Sequence, residues 1–199
     1  MDPKDFENLL YAKYAELDDL ARRRLPVLIG RIAKDHFQDN FRLGGFVNGG
    51  LHKWAEAKRR ISGSASAAAR NPTLLSGRNH LFSSINYYPR NYAVRIANEL
   101  VYAPIHNEGG EIPVTDRMRR FAWHKFYEAS GRDAKAAKGN KKKSADGSLS
   151  PEARFWKGMA LTKKKTITIP KRQFIGDSQE LNDAIAETIE NEIIRILKS

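Results

Sequence analysis

The stretch Tyr102-Ala-Pro-Ile-His-Asn-Glu-Gly-Gly-Glu-Ile-Pro113 holds the densest set of residues able to do chemistry. His106 and Glu108 stand two apart, a spacing that zinc deaminases use for a metal ligand and a general acid–base. That chemistry also needs a thiolate pair, and the chain has no cysteine. The same absence rules out disulfides and thiolate metal centres. The other histidines, His36, His52, His80 and His124, stand at no ligand spacing, and no His-Glu-x-x-His motif occurs. The glycine-rich run from Arg42 to Gly50 lacks the Gly-Lys-Ser/Thr ending of a phosphate-binding loop. No Gly-x-Ser-x-Gly elbow and no paired carboxylates are legible. The expectation is no catalytic residue, no metal and no cofactor. Tyr102 and Ile105 are expected to pack inward, His106 and Asn107 to hold a structural turn, and Gly109-Gly110 to let the chain leave a sheet.

Charge carries a stronger signal. The 199 residues hold 35 Lys/Arg against 23 Asp/Glu, a net of +12. Between Arg117 and Arg172 there are 17 Lys/Arg and four acids, a net of +13, so the rest of the chain is close to neutral. A field of that sign favours polyanions. Lys141, Lys142 and Lys143, with Lys163, Lys164 and Lys165, are the candidate phosphate contacts; Arg117, Arg119, Arg120, Lys171 and Arg172 add to the run. Phe121, Trp123, Phe126, Tyr127, Phe155 and Trp156 are interleaved with it. They can stack near phosphates or pack the segment together, and both readings stay open. No helix-turn-helix or zinc module is legible, so base-specific recognition is not expected.

The elements that must position these residues follow from periodicity. Asp2-Pro3 suits a helix start. Phe6, Leu9, Leu10, Tyr14, Leu17, Leu20 and Ala21 then form one apolar helical face. Pro26 breaks or kinks this helix, and the pattern continues to about Asn40. Residues 42–72 read as a flexible exposed loop with Trp54 as its one large anchor. A short helix before Ile85 directs Leu81 and Ile85 inward, and two strands joined at Pro89-Arg90 follow. Thr115 or Asp116 caps a helix of about three turns with Met118, Phe121, Ala122, Lys125 and Phe126 on one side. Residues 134–151 are low in complexity and are expected to lack order. Thr166–Ile169 is β-rich. Asp177-x-x-Glu180 reads as a capping box before an amphipathic helix that carries Leu181, Ile185, Ile189 and Ile193. The fold class is α+β: a small, largely antiparallel sheet flanked by an N-terminal helical pair and a C-terminal amphipathic helix. One domain is expected, with a basic insertion at about 117–165. No apolar run is long enough to span a membrane, and the opening residues lack the regions of a signal peptide.

The order of these segments resembles the phage virion morphogenesis family, the tail-completion or head–tail joining proteins of tailed phages and prophages. The resemblance is carried by Phe37 to Phe41, Trp54-Ala-Glu-Ala-Lys-Arg-Arg60, Leu74-Leu-Ser-Gly77, Tyr102-Ala-Pro-Ile-His-Asn-Glu-Gly-Gly110, Pro170-Lys-Arg-Gln-Phe-Ile-Gly176 and the last helix. It implies a structural protein of the virion at the head–tail junction, built in the host bacterial cytoplasm. It further implies a homo-oligomeric ring, other neck or tail proteins as partners, and non-specific contact with genomic duplex DNA. The basic insertion departs from the compact family pattern. An alternative is a free, non-sequence-specific nucleic-acid-binding protein that uses this basic arm.

Overall fold

The structure, a computed structural model, describes residues 2–57, 60, 70–131 and 149–199. It is α+β, with helices and three two-stranded antiparallel sheets among the described residues. The chain divides into two compact units. Unit 1 takes Met1–Trp54, Asn79–Ala103 and Arg172–Ser199; unit 2 takes Ala55–Arg78 and Pro104–Lys171. Unit 2 therefore contains the whole segment expected as a basic insertion.

Unit 1 opens with α1 (Pro3–Asp19), a single π turn (Leu20–Arg24) and α2 (Leu25–Leu43), one continuous helical run. The break expected at Pro26 is this π turn. Proline lacks an amide, and the local register widens to absorb it. Asp2 makes no side-chain cap, contrary to expectation; Pro3 at the first turn and the Phe6 amide bonded to the Asp2 carbonyl start the helix instead. The apolar face of α1 stays largely uncovered: Phe6, Leu9, Leu10 and Tyr14 are exposed, and only Leu20, at its end, is buried.

Residues 42–53, expected as part of a flexible loop, are ordered: Arg42 and Leu43 end α2, and β1 (Gly45–Val47) and β2 (Leu51–Lys53) form a hairpin. Gly44, at φ +69, ends α2 in the left-handed conformation that glycine adopts without strain. Distant partners hold the hairpin. Buried Asn40 accepts the Val47 amide at 3.1 Å and donates to the Phe174 carbonyl at 3.2 Å. The Glu180 carboxylate accepts the amides of Gly49 at 3.1 Å and Gly50 at 2.9 Å. Asn48 in turn accepts the Gln179 amide at 3.0 Å, at the start of α7 (Gln179–Lys198). The capping residue of α7 is Ser178, not Asp177: its Oγ accepts the Leu181 amide, which leaves Glu180 free to hold the glycines.

The core of unit 1 centres on Phe41, which is fully buried and meets Trp54, Phe82 and Phe174 at ring distances of 5.5, 5.9 and 5.1 Å. Trp54 is the expected anchor, and its indole donates to the Gln173 carbonyl at 2.8 Å. Truncating an aromatic at such a centre costs about 3–5 kcal/mol. Leu81, in the short helix α3 (His80–Ser83), and Ile85 both point inward as expected. The strands β3 (Ile85–Arg90) and β4 (Ala93–Asn98) pair from Ile85↔Asn98 to Arg90↔Ala93. Their turn is Asn91-Tyr92 and not Pro89-Arg90, so the proline lies within a strand.

In unit 2, α5 (Asp116–Ser130) packs on α6 (Pro151–Ala160). Thr115 caps α5 by accepting the Met118 amide, as expected, and Ser150 caps α6 by accepting the Ala153 amide. Phe126, Leu149 and Ala153 form the buried centre, with Trp123, Tyr127 and Trp156 against them. Phe121, expected on the inner side, is exposed, though its ring meets Trp156 edge-on at 5.8 Å. The strands β5 (Gly110–Pro113) and β6 (Thr166–Ile169) pair from Gly110↔Ile169 to Pro113↔Thr166.

Candidate nucleic-acid interface

The segment from Tyr102 to Pro113 is built differently from a plain turn. Ala103–Glu108 is a short helix, α4, followed by a glycine bend into β5. Tyr102 is exposed, which corrects the expectation that it packs inward; Ile105 is half-buried. Asn107 donates to the Glu108 carboxylate at 2.6 Å. His106 and Glu108 share no metal cluster, and none of three or more His, Asp or Glu residues exists among the described residues. Gly109 and Gly110 have φ of +75° and +142°. A Cβ on Gly109 would lie 2.7 Å from the Lys171 amide nitrogen, so only glycine lets β5 start this close to the exit of β6.

That close approach sets the basic run. Val114 donates its amide to the Lys165 carbonyl at 2.8 Å, which extends the β5–β6 pairing to the end of the lysine triplet. The Arg119 guanidinium donates to the Thr162 carbonyl, and the Lys164 amide donates to Thr162 Oγ1 at 3.3 Å. The backbone beneath Lys163, Lys164 and Lys165 is therefore tied to α5 and β5, while the three side chains are exposed. None of the three forms an ion pair among the described residues.

Other residues of the run fare differently. Arg172, which adds to the basic run in sequence, is buried. Arg119 is spent on the Thr162 carbonyl. Lys125 pairs with Glu128 at 2.7 Å, and that bond holds the Glu128 carboxyl below its ordinary range. Arg117, Arg120 and Lys171 are exposed. Lys141, Lys142 and Lys143 lie outside the described residues, as does most of the 134–151 segment. The interleaved aromatics pack on one another: Trp123 meets Phe126 at 5.6 Å and stacks on Tyr127 at 5.9 Å, and Phe155 meets Trp156 at 5.1 Å. These contacts pack the segment together, while Phe121 stays exposed.

Beside the triplet, the space between α6 and β6 forms a half-open groove of about 480 Å³. Lys164 and Lys165 line it with the hydroxyl-bearing Thr162, Thr166 and Thr168, and Gly158 and Met159 close the helix side. Sequence reading missed the threonines and Gly158. The Thr-x-Thr alternation in β6 was the available signal, since residues two apart share one strand face.

No protein-family model, curated protein or solved structure matches this chain. Among the described residues, no helix is long and apolar enough to cross a membrane.

Proposed function

We propose that this chain is a structural subunit of the head–tail junction of a tailed phage or prophage. It works by binding, not by catalysis. Its partners are further copies of itself in a ring and other neck or tail proteins. The observation that carries the reading is the uncovered face of α1. Phe6, Leu9, Leu10 and Tyr14 are 52%, 43%, 54% and 72% exposed on one 17-residue helix. A contiguous apolar face of this kind marks an interaction surface. The ordered motif series supports the class of assembly. Two of its segments have clear structural work: Phe174 is buried against Phe41, and Gly109-Gly110 turns the chain into β5. Phage particles assembled without this protein are expected to separate into free heads and tails under the electron microscope. Intact, infectious particles would refute the proposal.

A second reading is favoured by one specific observation, the exposed Lys163–Lys165 beside the groove, which form no ion pair among the described residues. It takes the protein as a non-sequence-specific binder of nucleic acid, inside an assembly or free of one. Retention on duplex DNA that weakens steeply with salt tests it, and no binding at low salt would remove it.

A further inference from the structure

We infer that the groove between α6 and β6 is a seat for the phosphodiester backbone of nucleic acid. The inference rests on the nucleic-acid reading and gives it an address. The lining offers donors in two forms. Lys164 and Lys165 supply ammonium groups, and Thr162, Thr166 and Thr168 supply hydroxyls. Among the described residues, no carboxylate lines it. Glu111, opposite Thr168 in the strand register and so on the same sheet face, is the nearest carboxylate by register and is not among the described lining residues. Such a surface suits a ligand with repeated acceptor oxygens and negative charge, which a run of phosphodiesters provides.

The same lining argues against base readout. Among the described residues it holds no arginine, asparagine or glutamine to fork onto a base edge, and no aromatic ring to stack on one. Contact is thus with phosphate and sugar, which carries no sequence preference. The triplet is divided by this geometry. Lys164 and Lys165 line the groove, and Lys163 is not among its described lining residues.

Gly158 is the telling position. A glycine inside a helix costs about 1 kcal/mol against alanine. Here a Cβ would meet nothing within 4 Å, so packing against a neighbour does not require glycine. Its effect is to leave the groove open on the helix side. A side chain placed there starts in open space at a residue that lines the groove, and this makes the site separable from stability.

The test uses the full chain and a fluorescein-labelled duplex of mixed sequence, with binding read by anisotropy across a salt series. Gly158→Glu is expected to weaken binding by about tenfold or more, as a carboxylate meets phosphate. Gly158→Gln should weaken it by a smaller factor through steric filling alone. Both variants should melt at or above the wild-type temperature. Lys164→Ala with Lys165→Ala should flatten the log K against log salt slope by about 1.8, the release expected for two phosphates. Lys163→Ala should change the slope less than either groove lysine. Two duplexes of unrelated sequence should bind alike. The groove is overturned if the wild type binds DNA and the Gly158→Glu and double-lysine variants bind within twofold of it; the nucleic-acid reading would then survive without this seat. If the wild type binds no DNA at low salt, the reading itself fails. Displacement by poly-glutamate as readily as by unlabelled duplex would overturn the phosphodiester assignment in favour of an acidic polypeptide.

Discussion

The backbone amide of Tyr92 donates to the carbonyl of Arg22 at 3.2 Å. Arg22 stands four residues before Pro26, and Pro26 has no amide to return to it. A proline in a helix frees one carbonyl, and here the tip of the β3–β4 turn supplies the missing donor. The Tyr92 hydroxyl also donates to Asp18 Oδ1 at 2.7 Å, across the same π turn. These two bonds accompany a left-handed Tyr92, φ +59°, a conformation that bulky residues avoid.

Tyr92→Phe should therefore lower the melting temperature, with the backbone bond to Arg22 intact. The bond to Asp18 raises the Tyr92 phenol above its ordinary pKa of 10.0. The protonated form is favoured in the fold, so its contribution is complete below pH 10.0 and disappears as pH rises through the folded value. Thermal melts at pH 8 and above 10 should show the wild type losing an advantage that Tyr92→Phe never had.

Gly30→Ala should destabilise unit 1 even though alanine is the better helix former. A Cβ on Gly30 would overlap Tyr87 Cδ2 and lie 2.7 Å from its Cγ. Overpacking of this kind costs about 1–3 kcal/mol, against about 1 kcal/mol gained in helix propensity. Tyr87→Ala in the same chain should remove the clash, and the pair should depart from additivity in urea denaturation. Additive losses would show that Tyr87 is not the obstacle.

Acid should loosen the β1–β2 hairpin in two stages. Burial pushes the His36 ring below its ordinary 6.5, against the pull of Glu180, Asp39 and the Val47 backbone; its Nε2 is buried with no hydrogen-bond partner among the described residues. The neutral ring is favoured in the fold, so its contribution is present above 6.5 and lost as pH falls through the lower folded value. The Glu180 carboxyl is lowered from 4.5 first by its own backbone amide, then by Gly50 and Gly49. Its contribution is present above 4.5 and lost below the folded value. Urea midpoints from pH 7.5 to 3 should fall across both windows. His36→Leu should flatten the upper one and Glu180→Gln the lower.

Leu9→Ser and Leu10→Ser on α1 should leave the melting temperature of the isolated chain nearly unchanged, because both side chains are exposed. They should weaken association, read as molar mass by light scattering over a concentration series. A large loss of stability with unchanged mass would count against α1 as an assembly face.

Local pattern made some elements legible. The Thr115 cap, the inward Leu81 and Ile85, the β-rich Thr166–Ile169 and the amphipathic α7 all depend on residues close together in sequence. The β1–β2 hairpin was not legible. Each of its strands has three residues, too few to display alternation, and its support comes from Glu180 and Phe174, more than 120 residues away. The cap of α7 shifted from Asp177 to Ser178 for a related reason, since Glu180 had partners in the hairpin that no local motif contains.

The sequence by itself determined the α+β class, the succession of most helices and the placement of excess positive charge after Arg117. Those follow from periodicity and composition, which folding does not alter. Only the tertiary structure decided which cations are available. Arg172 is buried, Arg119 is bound to a carbonyl, Lys125 is paired, and Lys164 and Lys165 line an open groove. Formal charge belongs to a residue alone, but its reach to a ligand depends on desolvation and on partners, and folding supplies both.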